Sequence, residues 1–197
     1  KIEFVLRDAI GRDWQCGTVQ LDFQLPGRFN LSYTDKDGSE KCPIVVHRAI
    51  FGSFERFLGI LVEHFGGAFP TWLAPVQVAI IAVSENFSDY VDVVAKRLKD
   101  ANIEFVVLDQ GSLNSRIRNS FNNNKIPNLF IIGQDEVDNK TITLRKIKEK
   151  DQSTIPLEEV ATLLENNVKN RVLDVLVDNP AAFLKEYEAV SSEDEVY

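Results

Sequence analysis

Polar and apolar residues alternate over residues 1–6. That is the pattern of a half-buried β-strand, whose side chains point to opposite faces in turn. The alternation returns over residues 17–23, with Val19, Leu21 and Phe23 on one face and Thr18, Gln20 and Asp22 on the other. Residues 30–34 and 43–50 read as two further strands. Lys36-Asp37-Gly38-Ser39 lies between them as a hairpin loop, because Asp-Gly tolerates positive φ. Strands that follow one another without intervening helices predict an antiparallel sheet. Ser53 then offers a helix N-cap, and Phe54, Phe57, Leu58, Leu61, Val62 and Phe65 recur at helical spacing. The spacing predicts a helix that buries a broad apolar stripe and stops at Gly66-Gly67.

Phe69-Pro70-Thr71-Trp72-Leu73-Ala74-Pro75 has neither period and is bracketed by prolines, so it reads as a domain junction. Beyond it the pattern changes. Residues 76–83 are almost all apolar, as in a strand covered on both faces. An amphipathic helix is predicted over 86–101, with Tyr90, Val94 and Leu98 at four-residue spacing. A strand follows over 103–108, a polar helix over 113–123, short strands over 129–132 and 141–144, and a closing helix over 156–168. Strand and helix in alternation predict an α/β domain with a mostly parallel sheet. The closing helix is expected to continue through Val177 and to break at Asn179-Pro180. Residues 191–197 are short, acidic and expected to fray. The chain therefore divides into 1–74, 75–168 and a C-terminal extension, 169–197.

Charge changes this picture in one respect. The 197 residues carry a net charge of −8, which by itself argues against a nucleic-acid partner. By segment the net is −1 over 1–74, +1 over 75–150 and −8 over 151–197. The deficit is C-terminal, and the near-neutral middle can carry a local basic face. Two cysteines build no disulfide framework, so a reducing compartment such as the cytoplasm is the default. No apolar run has the length of a membrane span. The chain begins at Lys1, contains no Met, and reads as part of a longer protein.

Four groups of residues carry candidate chemistry. In Gly52-Ser53-Phe54-Glu55-Arg56 an arginine stands one turn inside a helix, where its planar charge suits a phosphate or a purine ring. The plain alternative is an arginine paired with Glu or facing water. In Trp14-Gln15-Cys16-Gly17-Thr18-Val19-Gln20 the amides and hydroxyl suit a small polar ligand; the alternative is simple alternation toward solvent. His47 has no recognisable metal-ligand spacing to His64, Cys16 or Cys42. Asn114, Arg116, Arg118, Glu136 and the run from Arg145 to Lys150 are residue types that read unstacked RNA bases and phosphates. The alternative is a solvated helix face and a charged edge strand.

Taken in order, Asp8-Ala9-Ile10-Gly11-Arg12, the stretch from Trp14 to Phe23, His47-Arg48-Ala49-Ile50, Gly52-Ser53-Phe54-Glu55-Arg56 and Phe69 to Val78 closely resemble the threonyl-tRNA synthetases, which are class II aminoacyl-tRNA synthetases. The resemblance runs from Lys1 to about Val168, and Gly52 to Arg56 matches the third class-defining motif. It implies part of a class II antiparallel catalytic sheet over 1–74, followed by an α/β anticodon-binding domain over 75–168. The implied activity is that of a threonine–tRNA ligase: threonyl-adenylate is made from L-threonine and ATP, and threonine is passed to its tRNA.

The resemblance also implies roles. Arg56, Gln20 and Lys1 match catalytic positions, and Gln15, Thr18 and Arg56 match ATP-binding ones. Ala49 and Ser53 would line the threonine pocket. His47 matches one of three zinc ligands, so Zn2+ and Mg2+ with ATP are the implied cofactors. Glu136 and Arg145 match anticodon-contacting positions, with Asn114 standing in where bacterial members carry an Arg-Asn-Glu run. The family's first two class motifs, its other zinc ligands and its editing domain are not in this chain. The segment alone is therefore expected not to form the adenylate. The implied partners are threonine tRNA, ATP and L-threonine, with no membrane and a homodimeric parent enzyme. A non-catalytic tRNA-binding paralogue is the alternative.

Overall fold

The structure is a computed structural model, described here for residues 1–149 and 151–175. It divides into two compact units, the first ending at His64 and the second beginning at Phe65.

In the first unit, β1 (Ile2–Arg7) pairs antiparallel with β2 (Asp13–Asp22). The short helix α1 (Leu25–Arg28) follows, with Pro26 in its first turn, where a missing N–H costs nothing. β3 (Tyr33–Thr34) and β4 (Glu40–Lys41) form a small hairpin. β5 (Val45–Ala49) joins the other side of β2, and α2 (Phe54–Phe65) closes the segment. The sheet order is β1-β2-β5, all antiparallel.

The expected hairpin exists, but its partners differ. Residues 33–34 pair with 40–41, while the strand over 45–49 leaves to pair with β2. Pro43 lies between β4 and β5 and brings no N–H to a ladder, so the chain is free to change sheet there. The central strand begins four residues earlier than its alternation predicts. A bulge opposite Phe4 and Val5 shifts the register at Cys16 and hides the period.

The apolar stripe of α2 is present but largely uncovered. Ile60 and Phe65 are buried, whereas Phe54, Leu58 and Val62 are exposed. Ile2, Phe4, Leu21 and Val46, on one face of the sheet by register, are also exposed. α2 reaches only the Trp14 end of that face, where Arg56 lies over the Trp14 ring and Glu63 pairs with Arg12.

The second unit has a conventional core. β6 (Val78–Ala82) leads through a 3₁₀ turn, capped by Ser84, into α3 (Ser88–Asp100) and then β7 (Phe105–Val107). α4 (Leu113–Arg118) continues as one π turn over Asn119–Asn123 to β8 (Asn128–Ile132). α5 (Gln134–Asn139), β9 (Thr141–Lys146), β10 (Gln152–Pro156) and α6 (Leu157–Asn170) complete it. The sheet order is β10-β9-β8-β6-β7. β7, β6 and β8 run parallel, linked by helical crossovers. β9 and β10 are antiparallel additions, so the sheet is mixed.

One face packs Val78, Ile80, Phe130 and Ile132 against Val94 and Leu98 of α3 and Val160 and Leu164 of α6. The other packs Ala79, Ile81 and Leu129 beneath Leu113, Ile117 and Phe121. Each fully buried Val, Leu, Ile or Phe among these contributes about 1.5–3 kcal/mol.

Two of the predicted helices differ from expectation. The polar helix over 113–123 is half α-helix and half π turn. The closing helix stops at Asn170, with Arg171 in the left-handed region, rather than continuing toward Val177. The cause is Asp174: its carboxylate accepts the Thr71 N–H (2.9 Å), the Thr71 hydroxyl (2.6 Å) and the Asn167 amide (3.0 Å). A continuing helix would carry Asp174 away from Thr71. That threonine is fully buried in the turn 70–74 and is also held by Asn128. The expected break at 179–180 and the acidic residues 191–197 lie outside the described residues. No helix among the described residues is long and apolar enough to cross a membrane.

Candidate functional site

Register places most of the first unit's candidate residues on one face. Thr18 stands opposite Ala49 and Glu3, and Gln20 stands opposite His47. Directly paired residues share a face, and so do residues two apart. Lys1, Glu3, Thr18, Gln20, Asp22, His47 and Ala49 therefore form one surface. Its side chains are already linked. The Gln15 amide donates to Glu3 at 2.7 Å, the Lys1 ammonium pairs with Glu3, and the Gln20 amide reaches the Thr18 hydroxyl at 3.4 Å. Glu3, which sequence reasoning missed, organises this end; its position two residues after Lys1 was the available signal.

At the other end His47 Nε2 lies 2.9 Å from Asp22 Oδ2. The N–H of Leu25, the His47 ring and the N–H of Gln24 hold the Asp22 carboxyl below the usual carboxylate range. Gln20, Asp22, Arg28 and His47 line an open cleft of about 670 Å³. Asp22 is the second residue that sequence reasoning passed over, although it shares the alternation of Thr18 and Gln20.

For a metal, His47 with Asp22 is an incomplete donor set. Among the described residues no three His, Cys, Asp or Glu side chains stand together as a metal site. The half-exposed His47 ring fits one ligand of a shared site and no more.

Arg56 and Ser53 make no hydrogen bond to the side chains of that face among the described residues. The Ser53 hydroxyl accepts the Arg56 N–H at 3.4 Å and donates to Glu55 at 2.8 Å, so it caps α2. The Arg56 guanidinium lies over the Trp14 ring, 5.6 Å from its centroid, and Arg12 lies over the same ring at 5.3 Å. Trp14 Nε1–H donates to Asp8 at 2.8 Å. Asp8 is fully buried at a tight turn. Burial alone would raise its pKa, but hydrogen bonds from Trp14, from the Arg12 side chain and from the Arg12 N–H hold it at about 2. The structure thus brings Arg56 to Trp14 and Cys16 but joins it by no hydrogen bond to Gln15, Thr18 or Gln20. Trp14, flanked by Asp8 and Arg12, is what supports Arg56, and the order of motifs alone did not show it.

In the second unit Glu136 and Thr143 are bonded at 2.7 Å, and Arg145 follows Thr143 by two residues on the same face of β9. The Arg145 guanidinium lies 5.5 Å over Phe121, and its Nε is buried with no partner among the described residues. Asn114 is exposed at the start of α4 and is bonded to neither Glu136 nor Arg145. Arg116 is committed to the fold: it donates to the carbonyls of Ala82 (2.9 Å) and Leu108 (3.1 Å), so it is not a free base reader. Thr143, Thr154 and Phe121 were not singled out from the sequence.

Comparison with known proteins agrees with this division. Residues 1–65 match the tRNA synthetase class II core domain (G, H, P, S and T), and residues 77–167 match the anticodon binding domain. The chain is 50% identical over 158 residues to the threonine–tRNA ligase of Pelagibacter ubique, covering 80% of this chain and 25% of that protein. It is 45% identical over 175 residues to the threonine–tRNA ligase of Clostridium tetani, covering 88% and 27%. The RNA binding domain of threonyl-tRNA synthetase from Cryptosporidium parvum superposes with a TM-score of 0.75 at 34% identity, covering 83% of this chain and 42% of that one. The chain spans about a quarter of the length of these curated relatives. With two matched domains in order and up to half the residues identical, it belongs to the threonyl-tRNA synthetase family.

Proposed function

We propose that this chain is the C-terminal part of a threonine–tRNA ligase, with residues 1–74 completing the catalytic domain, 75–168 binding the anticodon, and 169–197 as an extension. The observation that carries the reading is the single polar face of β1, β2 and β5, on which Lys1, Gln15, Thr18, Gln20, His47 and Ala49 meet. A pure RNA-binding module has little use for such a surface. The uncovered apolar residues on the opposite face fit a sheet continued by the remainder of a larger catalytic domain.

In this reading Gln15 and Thr18 bind ATP, which arrives with Mg2+, while Arg56 stabilises charge as the threonine carboxylate attacks the α-phosphorus and pyrophosphate leaves. Gln20 and Lys1 act beside the tRNA terminal ribose as its hydroxyl takes the threonyl group and AMP departs. Ala49 and Ser53 bound the amino-acid pocket. His47 contributes one ligand to a zinc ion shared with residues of the longer enzyme. When bound, that zinc supplies a Lewis-acid site for the amino and hydroxyl groups of threonine, which valine cannot match. Glu136, Arg145 and Asn114 read the anticodon. The setting is cytoplasmic, and the whole enzyme is a homodimer.

Three measurements test this. Filter binding of the chain to threonine tRNA is expected to weaken by on the order of 10–100-fold in Arg145→Ala, if Arg145 contacts a base. Unchanged binding excludes it as a reader. In the longer protein, Arg56→Ala is expected to abolish threonine-dependent pyrophosphate exchange, and retained exchange would falsify its role. The isolated chain is expected to show no such exchange, and exchange by this chain overturns the assignment of its face to only part of a site.

A further inference from the structure

We propose that Thr143 and Thr154 form a hydroxyl relay that orients the Glu136 carboxylate for reading an RNA base, so that both threonines set base specificity without touching the RNA. The inference rests on the anticodon-reading role proposed for Glu136.

The protons in this cluster run one way. An ionised carboxylate only accepts, so the 2.7 Å bond between Thr143 Oγ1 and Glu136 Oε1 uses the single hydroxyl proton of Thr143. The 3.2 Å contact between Thr143 Oγ1 and Thr154 Oγ1 is then donated by Thr154. The other carboxylate oxygen accepts the Gly133 N–H at 2.8 Å. The contact is close: an added Cβ at Gly133 would stand 3.0 Å from Glu136 Oε2. Glu136 is therefore pinned from two sides, by its own helix N-terminus and by β9, and β10 sets the β9 hydroxyl.

Each pinned oxygen keeps a lone-pair site. Held in this way, the carboxylate meets the amino and imino N–H groups of a base and opposes carbonyl and ring-nitrogen acceptors. A free glutamate side chain would turn to suit several bases and discriminate less, because fixing the reader in advance converts contact into selectivity. Arg145, two residues along the same face, offers donors only, so the surface presents opposite polarities at fixed spacing. Thr143 is buried and Thr154 is exposed on the edge strand. The second threonine can thus be changed with little effect on packing.

The test uses the full chain and a set of RNA hairpins. One carries the threonine anticodon loop, and others carry a single replaced anticodon base; affinities are read by fluorescence anisotropy. Discrimination is the ratio of affinities between the parent and substituted hairpins. Glu136→Gln is expected to reduce it at one anticodon position. Thr143→Val and Thr154→Val are expected to reduce it at that same position, by on the order of tenfold for Thr143→Val. Thr143→Ser is expected to restore it.

An equal loss for every hairpin, or unchanged discrimination in both valine variants, overturns the relay and leaves anticodon reading standing. A loss in Thr143→Val without one in Thr154→Val removes Thr154 from it. If Glu136→Gln changes nothing, or the unaltered chain treats all hairpins alike or binds none, the anticodon-reading role fails and takes the relay with it. Thermal melts of each variant separate these outcomes from unfolding.

Discussion

Gly52 sits at a positive φ of 69°, and a Cβ there would stand 2.7 Å from the Cys16 carbonyl oxygen. Only glycine lets the start of α2 approach the bulge in β2, and that approach brings Arg56 to Trp14. Gly52→Ala is expected to cost about 1–3 kcal/mol, read as a lower urea midpoint, because strain and clash act together. An unchanged midpoint would mean that the two segments part without cost. At the same end of the unit, Asp8 makes stability depend on pH. Its folded pKa, about 2, lies below the ordinary value of 3.8. The stabilisation it brings is complete above that ordinary value and is lost as pH falls through about 2. Stability curves of the native chain and of Asp8→Asn are expected to differ in slope across that window and to run parallel above it. Parallel curves throughout would show that Asp8 binds its proton equally in both states.

Elements differ in how much the pattern along the chain revealed of them. β6 and α3 were legible because each buries an unbroken set of residues: Val78 to Ile81 for the strand, and Tyr90, Val94 and Leu98 for the helix. β10 was not, since Gln152, Ser153 and Thr154 are exposed and the strand exists only through its pairing with β9. The end of α6 was misread for a similar reason: the partner of Asp174 is Thr71, more than a hundred residues away. Leu164 of α6 is fully buried, so Leu164→Ala is expected to destabilise the second unit by about 2–5 kcal/mol. Differential scanning calorimetry checks this, and a loss below about 1 kcal/mol would show that the helix is not part of that unit's cooperative core.

Across the whole molecule, charge and apolar surface are distributed unevenly. The core clusters among the described residues all lie in the second unit, while the first keeps a wide apolar face exposed. The negative charge gathers at the C-terminus, where residues 176–197 carry Asp178, Glu186, Glu188, Glu193, Asp194 and Glu195 against Lys185. If 75–168 binds RNA, a chain ending at residue 175 is expected to bind more tightly at low salt, with the advantage vanishing as salt rises and screening shortens the repulsion. An advantage that persists at high salt would point to a direct contact rather than a field.

The sequence by itself determined the order of motifs, the change from an alternating to a helical-and-buried period near residue 75, and the polar character of Thr18, Gln20 and Asp22. Those properties are local, carried by side-chain type and spacing. Tertiary structure alone decided that Gln20 faces His47 and that β5 rather than β4 flanks β2. It alone committed Arg116 to two carbonyls and set the Thr154–Thr143–Glu136 chain. Each of these joins residues through strand register or a crossover. Register is fixed by which faces are buried and where bulges fall, and no single stretch of sequence contains both partners.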